Sequence, residues 1–221
     1  MVATQTPGPA PTFDAPAAGQ LTAKKSVLAG HSGRLSWRID SYRFAGGQGA
    51  TEVNRRVRAS AQDCVTRGRR EASGDRGERR TVTGESVLTT NDGRTVQVAL
   101  VCVDSLAGTA HPSYWLGTTA VTTDGNPIAL SDVFPDERAA FGQLATSVRM
   151  AARIKDEGVS EADGLAPREA SWANWQTSSK GMIFYFGDDQ LGGHGYRVYT
   201  IPWSQVRPLM SRSAVQLLAP R

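Results

Sequence analysis

Few residues in this chain of 221 amino acids are spaced in a way that indicates catalysis. The three histidines lie far apart, at His31, His111 and His194, and the chain has no metalloprotease, phosphate-loop or serine-hydrolase motif. His111 could act as a general base, but its place at the start of a predicted strand favours a structural role. Asp188 and Asp189 could bind a cation, but carboxylates in a glycine-rich loop usually face water. We therefore predict no catalytic residue, no metal site and no cofactor.

Two cysteines fall on the apolar faces of predicted elements. Cys64 lies on the apolar stripe of a helix, and Cys102 shares a strand face with other apolar residues. If the helix packs on the sheet, both sulfurs point into one interface and can form a disulfide, although two buried thiols are the alternative. A bridge would close a loop of roughly 39 residues, worth about 4 kcal/mol. The chain has no Cys-x-x-Cys motif, so redox and zinc chemistry are not indicated.

Arginines are concentrated between residues 51 and 80. This segment contains nine arginines and five acidic residues. Its net charge of +4 equals the formal net charge of the whole chain. One interpretation is a solvated helix face, and the other is an anion-binding face. The residues assigned to that face are Arg67, Arg69, Arg70, Arg79 and Arg80. Arginine also greatly outnumbers lysine, which is typical of proteins from GC-rich bacteria such as actinobacteria.

The tryptophans lie in or next to predicted strands, where they are ordinary core residues. Trp172 and Trp175 are three positions apart just before a strand. They could instead form an exposed platform that binds sugar or protein. Both interpretations stay open at the level of the sequence.

The elements that would position these residues alternate between strand and helix periodicity. Strands are predicted at 35–44, 79–90, 94–106, 113–123, 127–130, 181–186 and 196–203. Amphipathic helices are predicted at 50–70 and 131–157, and a short helix at 204–210. Turn signals such as the Asn-Asp-Gly at 91–93 join neighbouring strands into hairpins. The pattern predicts an α+β fold, a mostly antiparallel sheet with helices packed on one face.

The composition divides the chain into two parts. Residues 1–33 are rich in Pro, Ala, Thr and Gly and predict an extended N-terminal arm or linker, and residues 34–221 predict a single α+β domain. No apolar run is long enough to span a membrane. The leader is typical of an exported protein whose signal peptide has been removed, so we expect a secreted or cell-envelope location. The alternative is a cytoplasmic protein with a disordered tail.

The segment AHPSYWLGTTAVTTDGNPIALSDVF, residues 110–134, resembles the central signature of a bacterial extracytoplasmic domain family. That family is typified by the C-terminal domain of the lysozyme-sensing anti-sigma factor, and the secreted mycobacterial immunogenic-protein family is similar as well. The matching positions are Thr123, Asp124, Gly125, Asn126, Ile128, Leu130, Asp132 and Phe134 in the signature, Gly195, Val198, Ile201, Pro202 and Trp203 near the end, and Asn54 and Val57 in the first helix. The resemblance implies an α+β domain outside the cytoplasm, without enzymatic activity, and leaves the ligand open.

These observations together predict a secreted or cell-envelope interaction domain that binds a protein partner, as an adaptor, a sensor or a subunit of a secreted assembly. Residues 1–25 could dock on the partner as an extended strand or polyproline segment. One alternative is binding of an anionic cell-wall polymer through the arginines. Another is lysozyme binding, which the positive net charge disfavours because most lysozymes are basic. No nucleic-acid-binding motif is present.

Overall fold

A computed structural model describes residues 21–74, 77–159 and 163–220. The strands in this part of the chain are β1 (Thr22–Ser32), β2 (Leu35–Ala45), β3 (Arg80–Asn91), β4 (Thr95–Leu106), β5 (Ser113–Thr122), β6 (Trp175–Thr177), β7 (Gly181–Phe186) and β8 (Arg197–Pro202). The α-helices are α1 (Ala50–Ala72), α2 (Leu130–Val133), α3 (Glu137–Ile154), α4 (Glu169–Trp172), α5 (Trp203–Val206) and α6 (Arg212–Leu218). Short 3₁₀ turns lie at Asp163–Leu165 and Arg207–Leu209.

The strands form two sheets, and the α+β class with mostly antiparallel pairing is confirmed. The first sheet has the order β1-β2-β3-β4-β5, and all neighbours in it are antiparallel except β2 and β3. Parallel neighbours need a crossover connection, and α1 supplies it between β2 and β3. The second sheet is the antiparallel meander β6-β7-β8.

Helix α1 covers one face of the first sheet because its apolar residues recur every three or four positions. The buried residues of this stripe include Val53, Val57, Ala61, Cys64 and Val65. At Gly68 the helix runs so close to the sheet that an added Cβ would lie 2.5 Å from a Val82 methyl carbon. The amphipathic helix predicted from the sequence is therefore confirmed, with its apolar stripe against the sheet.

Strand β4 is covered on both faces. Cys102 faces α1 and forms the predicted disulfide with Cys64, with 6.3 Å between the two Cα atoms. Gln97 points to the opposite face, because side chains alternate along a strand. There its Oε1 accepts a hydrogen bond from the Thr177 N–H at 2.6 Å, and its Nε2 donates to Thr177 Oγ1 at 2.8 Å. Gln97 thereby joins the first sheet to β6 of the second.

The second sheet and helix α3 share an aromatic core. The Trp172 ring is 1% exposed and stacks on Phe141, with 5.8 Å between ring centroids. Phe184 and Phe186 meet the same indole edge-on. Trp175 is 3% exposed. The prediction of an exposed platform at Trp172 and Trp175 is therefore wrong, because both rings fill this core.

The N-terminal boundary of the domain also differs from the prediction. Residues 22–32, predicted to be linker, form β1 and pair with β2 along their whole length. Residues 1–20 of the predicted arm lie outside the described residues. The strand predicted at 127–130 is a single bridge between Val121 and Pro127, followed by α2. None of the helices in the described ranges combines the length and the apolar character that crossing a membrane requires.

Candidate functional site

Among the strands of the described residues, β5 lies at the end of the first sheet, so one of its edges has no partner strand there. Near its C-terminal end, the C=O of Ala120 accepts a hydrogen bond from the Ile128 N–H at 3.0 Å. The N–H of Thr122 donates to the Asn126 C=O at 2.9 Å. Backbone groups alternate in direction along a strand. The even-numbered residues of β5 therefore point their N–H and C=O groups away from β4, and the odd-numbered residues point theirs toward β4.

Most of the outward groups earlier in β5 are open within the part of the chain that the structure describes. The N–H of Tyr114 donates to Asp188 Oδ2 at 3.3 Å. Among the residues that the structure describes, the Tyr114 C=O and the backbone groups of Leu116 and Thr118 have no hydrogen-bond partner. We call these groups the open edge of β5. It is short, because the Asp188 loop bounds it on one side and residues 126–128 bound it on the other.

A groove runs beside the open edge, between β5 and α1. One part, about 280 Å³ in volume, is lined by Ser60, Asp63 and Arg67 of α1 and by Trp115 and Gly117 of β5. The other part, about 370 Å³, lies toward the C-terminal end of α1 and is also lined by Trp115. Because the half-buried Trp115 belongs to both parts, we call the whole surface the Trp115 groove.

The Trp115 groove carries charges of both signs. Arg67 donates its Nε to Asp63 Oδ2 at 2.9 Å across one turn of α1. Arg80 forms an ion pair with Asp104, whose side chain is 1% exposed. Glu71 lines the same end of the groove. Arginine and carboxylate side chains both line the groove, which is a poor match for a uniform polyanion.

The five arginines predicted to bind anions do not form one free surface. Arg67 and Arg80 have the carboxylate partners described above. The guanidinium of Arg69 lies over the Trp37 ring, 5.0 Å from its centroid. Arg70 is exposed and lies 3.9 Å from the Glu71 carboxylate, and the Arg79 side chain is exposed.

Two histidines and two aspartates meet beside the start of β5. His194 Nδ1 lies 3.8 Å from Asp188 Oδ1 and 4.0 Å from Asp189 Oδ1, all in the loop between β7 and β8. His111, from the connection between β4 and β5, stacks on His194 with 5.6 Å between ring centroids and 6° between ring planes. We call these four residues the His/Asp cluster. His111 also lines the Trp115 groove, so the cluster lies at one end of it.

An aromatic pair lies near the cluster. The rings of Tyr114 and Tyr196 are 5.7 Å apart. Burial raises the pKa of Tyr196, and the neighbouring Tyr114 and Glu85 raise it further. The phenol of Tyr196 therefore stays protonated at neutral pH and can donate a hydrogen bond.

The sequence did not indicate most of this site. Trp115 was assigned to a strand without a functional role, and the open edge depends on which strand ends the sheet. His111 was considered as a general base or as a structural residue at a strand start, and the structure places it against a second imidazole and a groove. The signals present in the sequence were the acidic pair Asp188 and Asp189 in its glycine-rich loop and the arginines Arg67 and Arg80.

Comparison with known proteins identifies structures with a similar fold and indicates no activity. No family model matches the chain, and no curated protein matches it. A crystal structure of a DUF3298 family member from Bacteroides fragilis is similar, with a TM-score of 0.63 and 15% identity, covering 89% of this chain and 96% of that one. A DUF3298 family protein from Pseudomonas aeruginosa has a TM-score of 0.60 and 13% identity, covering 91% and 98%. At these identities the likeness shows a shared fold over nearly the whole length.

Proposed function

We propose that this chain is an extracytoplasmic, non-enzymatic interaction domain that binds an extended segment of a protein partner along β5. The observation that carries the proposal is the open edge of β5 lying directly beside the Trp115 groove. Strand addition to a sheet edge uses main-chain hydrogen bonds for affinity and adjacent pockets for specificity. Both requirements are met here within a few residues of Leu116.

Different groups of the domain would contact the backbone and the side chains of the incoming strand. The C=O of Tyr114 and the backbone groups of Leu116 and Thr118 would pair with the incoming strand. Alternate side chains of that strand would reach over the edge into the groove, where Trp115 offers a large, partly buried indole of the kind that anchors protein interfaces. The paired charges of Arg67 and Asp63 would select a segment that carries polar groups of both signs.

The extracytoplasmic location has two supports. A disulfide persists in oxidising compartments and is rare in the reducing cytoplasm, and Cys64 and Cys102 are bridged in this fold. The segment at 110–134 resembles the domain family of the lysozyme-sensing anti-sigma factor and the secreted mycobacterial family. We include membership of that wider group in the proposal, with lysozyme as one protein partner to test.

A cell-wall polymer is the weaker candidate, because the pairing of Arg67 and Arg80 with carboxylates reduces the positive potential of the surface. The two candidates differ in their response to salt. Polyanion binding weakens steeply as ionic strength rises, and a shape-fitted protein contact weakens much less. Retention of the protein on isolated cell walls, measured across a salt series, therefore distinguishes them.

A proline at position 116 tests the proposal most sharply. The Leu116 N–H points away from β4, so Leu116→Pro removes an outward donor and places a ring over the open edge without removing a bond of the β4–β5 ladder. A partner is first captured from the native secretome and identified, and its affinity is then measured by calorimetry. We expect Leu116→Pro to weaken binding by about tenfold or more, because the complex loses one to two hydrogen bonds.

Two further variants complete the experiment. Arg38→Glu is the control, because Arg38 is exposed on β2, away from β5, and it should bind as the wild type does. Arg67→Glu reverses one groove charge and should also weaken binding, which keeps the proposal testable if Leu116→Pro does not fold. A folded Leu116→Pro protein with unchanged affinity, or an Arg67→Glu protein with unchanged affinity, would contradict the proposed interface.

A further inference from the structure

The His/Asp cluster has the donor atoms of a metal site. One imidazole nitrogen and two carboxylate oxygens, from His194, Asp188 and Asp189, lie within 4.8 Å of one another. A second imidazole, from His111 in the loop between β4 and β5, stacks on the ring of His194 with 5.6 Å between centroids. Two of the three histidines of the chain therefore stack on each other, and one of them lies beside two carboxylates, although the two come from connections of different sheets.

The distances between the donors suit one shared ion. An ion that sits about 2.0–2.2 Å from each of two ligands allows those ligands to be at most about 4.4 Å apart. His194 Nδ1 lies 3.8 Å from Asp188 Oδ1 and 4.0 Å from Asp189 Oδ1, within that limit. Small rotations of exposed side chains can therefore bring these three atoms onto a common centre.

One ligand is already fixed in orientation. Asp188 Oδ1 accepts a hydrogen bond from the Gly195 N–H at 2.7 Å, and its Oδ2 accepts from the Tyr114 N–H at 3.3 Å. Hydrogen bonds of this kind orient metal-binding carboxylates in known sites. Asp189 and His194 have exposed side chains, 69% and 66%, and are free to close on an ion.

The charge of the cluster favours a cation. Two carboxylates carry two negative charges, and among the described residues no lysine or arginine forms an ion pair with either of them. The nearby Arg197 donates to the carbonyl oxygens of Gly158 and Gly192. Arg197 therefore does not neutralise the two carboxylates of its own loop, and a bound cation can supply the missing positive charge.

We propose that the His/Asp cluster binds one divalent transition-metal ion, and that Zn²⁺ is the ion that its donors fit. Imidazole nitrogen combined with carboxylate oxygen is a zinc-type donor set, whereas Ca²⁺ and Mg²⁺ prefer ligands that are all oxygen. Asp188, Asp189 and His194 are the ligands, and the stacked ring of His111 restricts the rotation of His194. The bound ion orders the β7–β8 loop, which Asp188 already links to the start of β5 by accepting from the Tyr114 N–H. This site does not depend on the proposed protein partner.

The test is calorimetric titration of ZnCl₂ into the tag-free full chain after treatment with a chelator and dialysis. We expect one equivalent of Zn²⁺ to bind to the wild type. His194→Ala and Asp189→Asn should each weaken binding by about tenfold or more, since removal of a ligand costs at least as much as the outer-shell changes that lower metal affinity 10–100-fold. Asparagine tolerates the positive φ of 59° at position 189, so that variant changes charge and not backbone strain.

Matched controls use the remaining histidines. His31→Ala should bind Zn²⁺ as the wild type does, because His31 is exposed at the end of β1. His111→Ala should bind more weakly than the wild type and more tightly than His194→Ala. Thermal unfolding in the presence of chelator checks that each variant folds. A wild type that binds no Zn²⁺, binding unchanged in His194→Ala or Asp189→Asn, binding lost in His31→Ala, or equal binding of Ca²⁺ would overturn the proposal.

Discussion

Reduction of the Cys64–Cys102 disulfide should lower the free energy of unfolding by about 4 kcal/mol. The cysteines are 38 positions apart. In the loop-entropy model, a closed loop of that size removes about 13 cal/mol/K from the unfolded chain, which is about 4 kcal/mol at 25 °C. The effect lies mainly in the unfolded state, because the reduced chain can regain conformations that the bridge forbids.

The native packing around the sulfurs limits any other loss. Cys64 is 5% exposed and Cys102 is fully buried, and both lie in the core between α1 and the first sheet. Two thiols in the same place keep most of the apolar contacts of the bridge. For a domain of this size, about 4 kcal/mol corresponds to a fall in melting temperature of about 8–16 °C.

The assay is urea unfolding followed by tryptophan fluorescence, with and without a phosphine reductant. A Cys64→Ala/Cys102→Ala protein serves as the control, because reductant should not change its unfolding curve. The reasoning would be refuted by equal free energies of unfolding for the oxidised and reduced proteins. It would be refuted as well by two free thiols in protein that has never been reduced.

Three further predictions concern polar groups that hold the layers and turns together. Gln97→Ala should destabilise the fold by about 2 kcal/mol, because the buried N–H of Thr177 loses its acceptor; urea unfolding measures the change. Arg80→Met should cost about 3 kcal/mol by the same assay, because the buried Asp104 carboxylate loses its guanidinium partner. Burial disfavours ionisation of Asp92, but hydrogen bonds from the N–H groups of Thr95 and Arg94 outweigh it and lower its pKa. Asp92→Asn should therefore destabilise the protein at neutral pH, and the difference should shrink as pH falls below the ordinary aspartate value of 3.8.

Each of these predictions can fail in a distinct way. If Gln97→Ala unfolds at the wild-type urea concentration, the amide does not join the two sheets. If Arg80→Met is as stable as the wild type, Asp104 does not need its ion pair. If the cost of Asp92→Asn is the same at pH 7 and pH 3, the lowered pKa does not contribute to stability.

The parts of the fold that the sequence predicted are those with strong local periodicity. Helix α1 was predictable because Val53, Val57 and Ala61 repeat at the helical period and the arginines lie elsewhere on the wheel. The disulfide followed because Cys64 and Cys102 each lie on the apolar face of such an element. In both cases the signal lies within one short segment, and the only further assumption is that the helix packs on the sheet.

Strand β1 was missed because its sequence carries little of this signal. It is an edge strand without a fully buried residue between Thr22 and Ser32, and Val27 is 51% exposed. Its extended conformation depends on pairing with β2, and strand propensity is set largely by such neighbours. The platform predicted at Trp172 was wrong for a related reason, because the aromatic residues that bury this side chain come from distant segments.

The candidate site depends on non-local pairing almost entirely. Which strand ends the sheet, and which backbone groups of β5 face outward, follow from the pairing with β4 and from the return of residues 126–128. His111 and His194 meet only because two loops of different sheets come together. The acidic pair and His194 lie in one glycine-rich loop and were visible in the sequence, but the stacking of His111 on His194 was not.

Amide hydrogen exchange along β5, resolved by residue, tests the proposed interface most directly. In the free protein the N–H groups of Leu116 and Thr118 should exchange quickly, while those of Trp115 and Gly117, which face β4, should exchange slowly. In complex with the identified partner, the Leu116 and Thr118 amides should slow by about tenfold or more. Fast exchange at both residues in the complex, with new protection only on β1 or α1, would contradict the account.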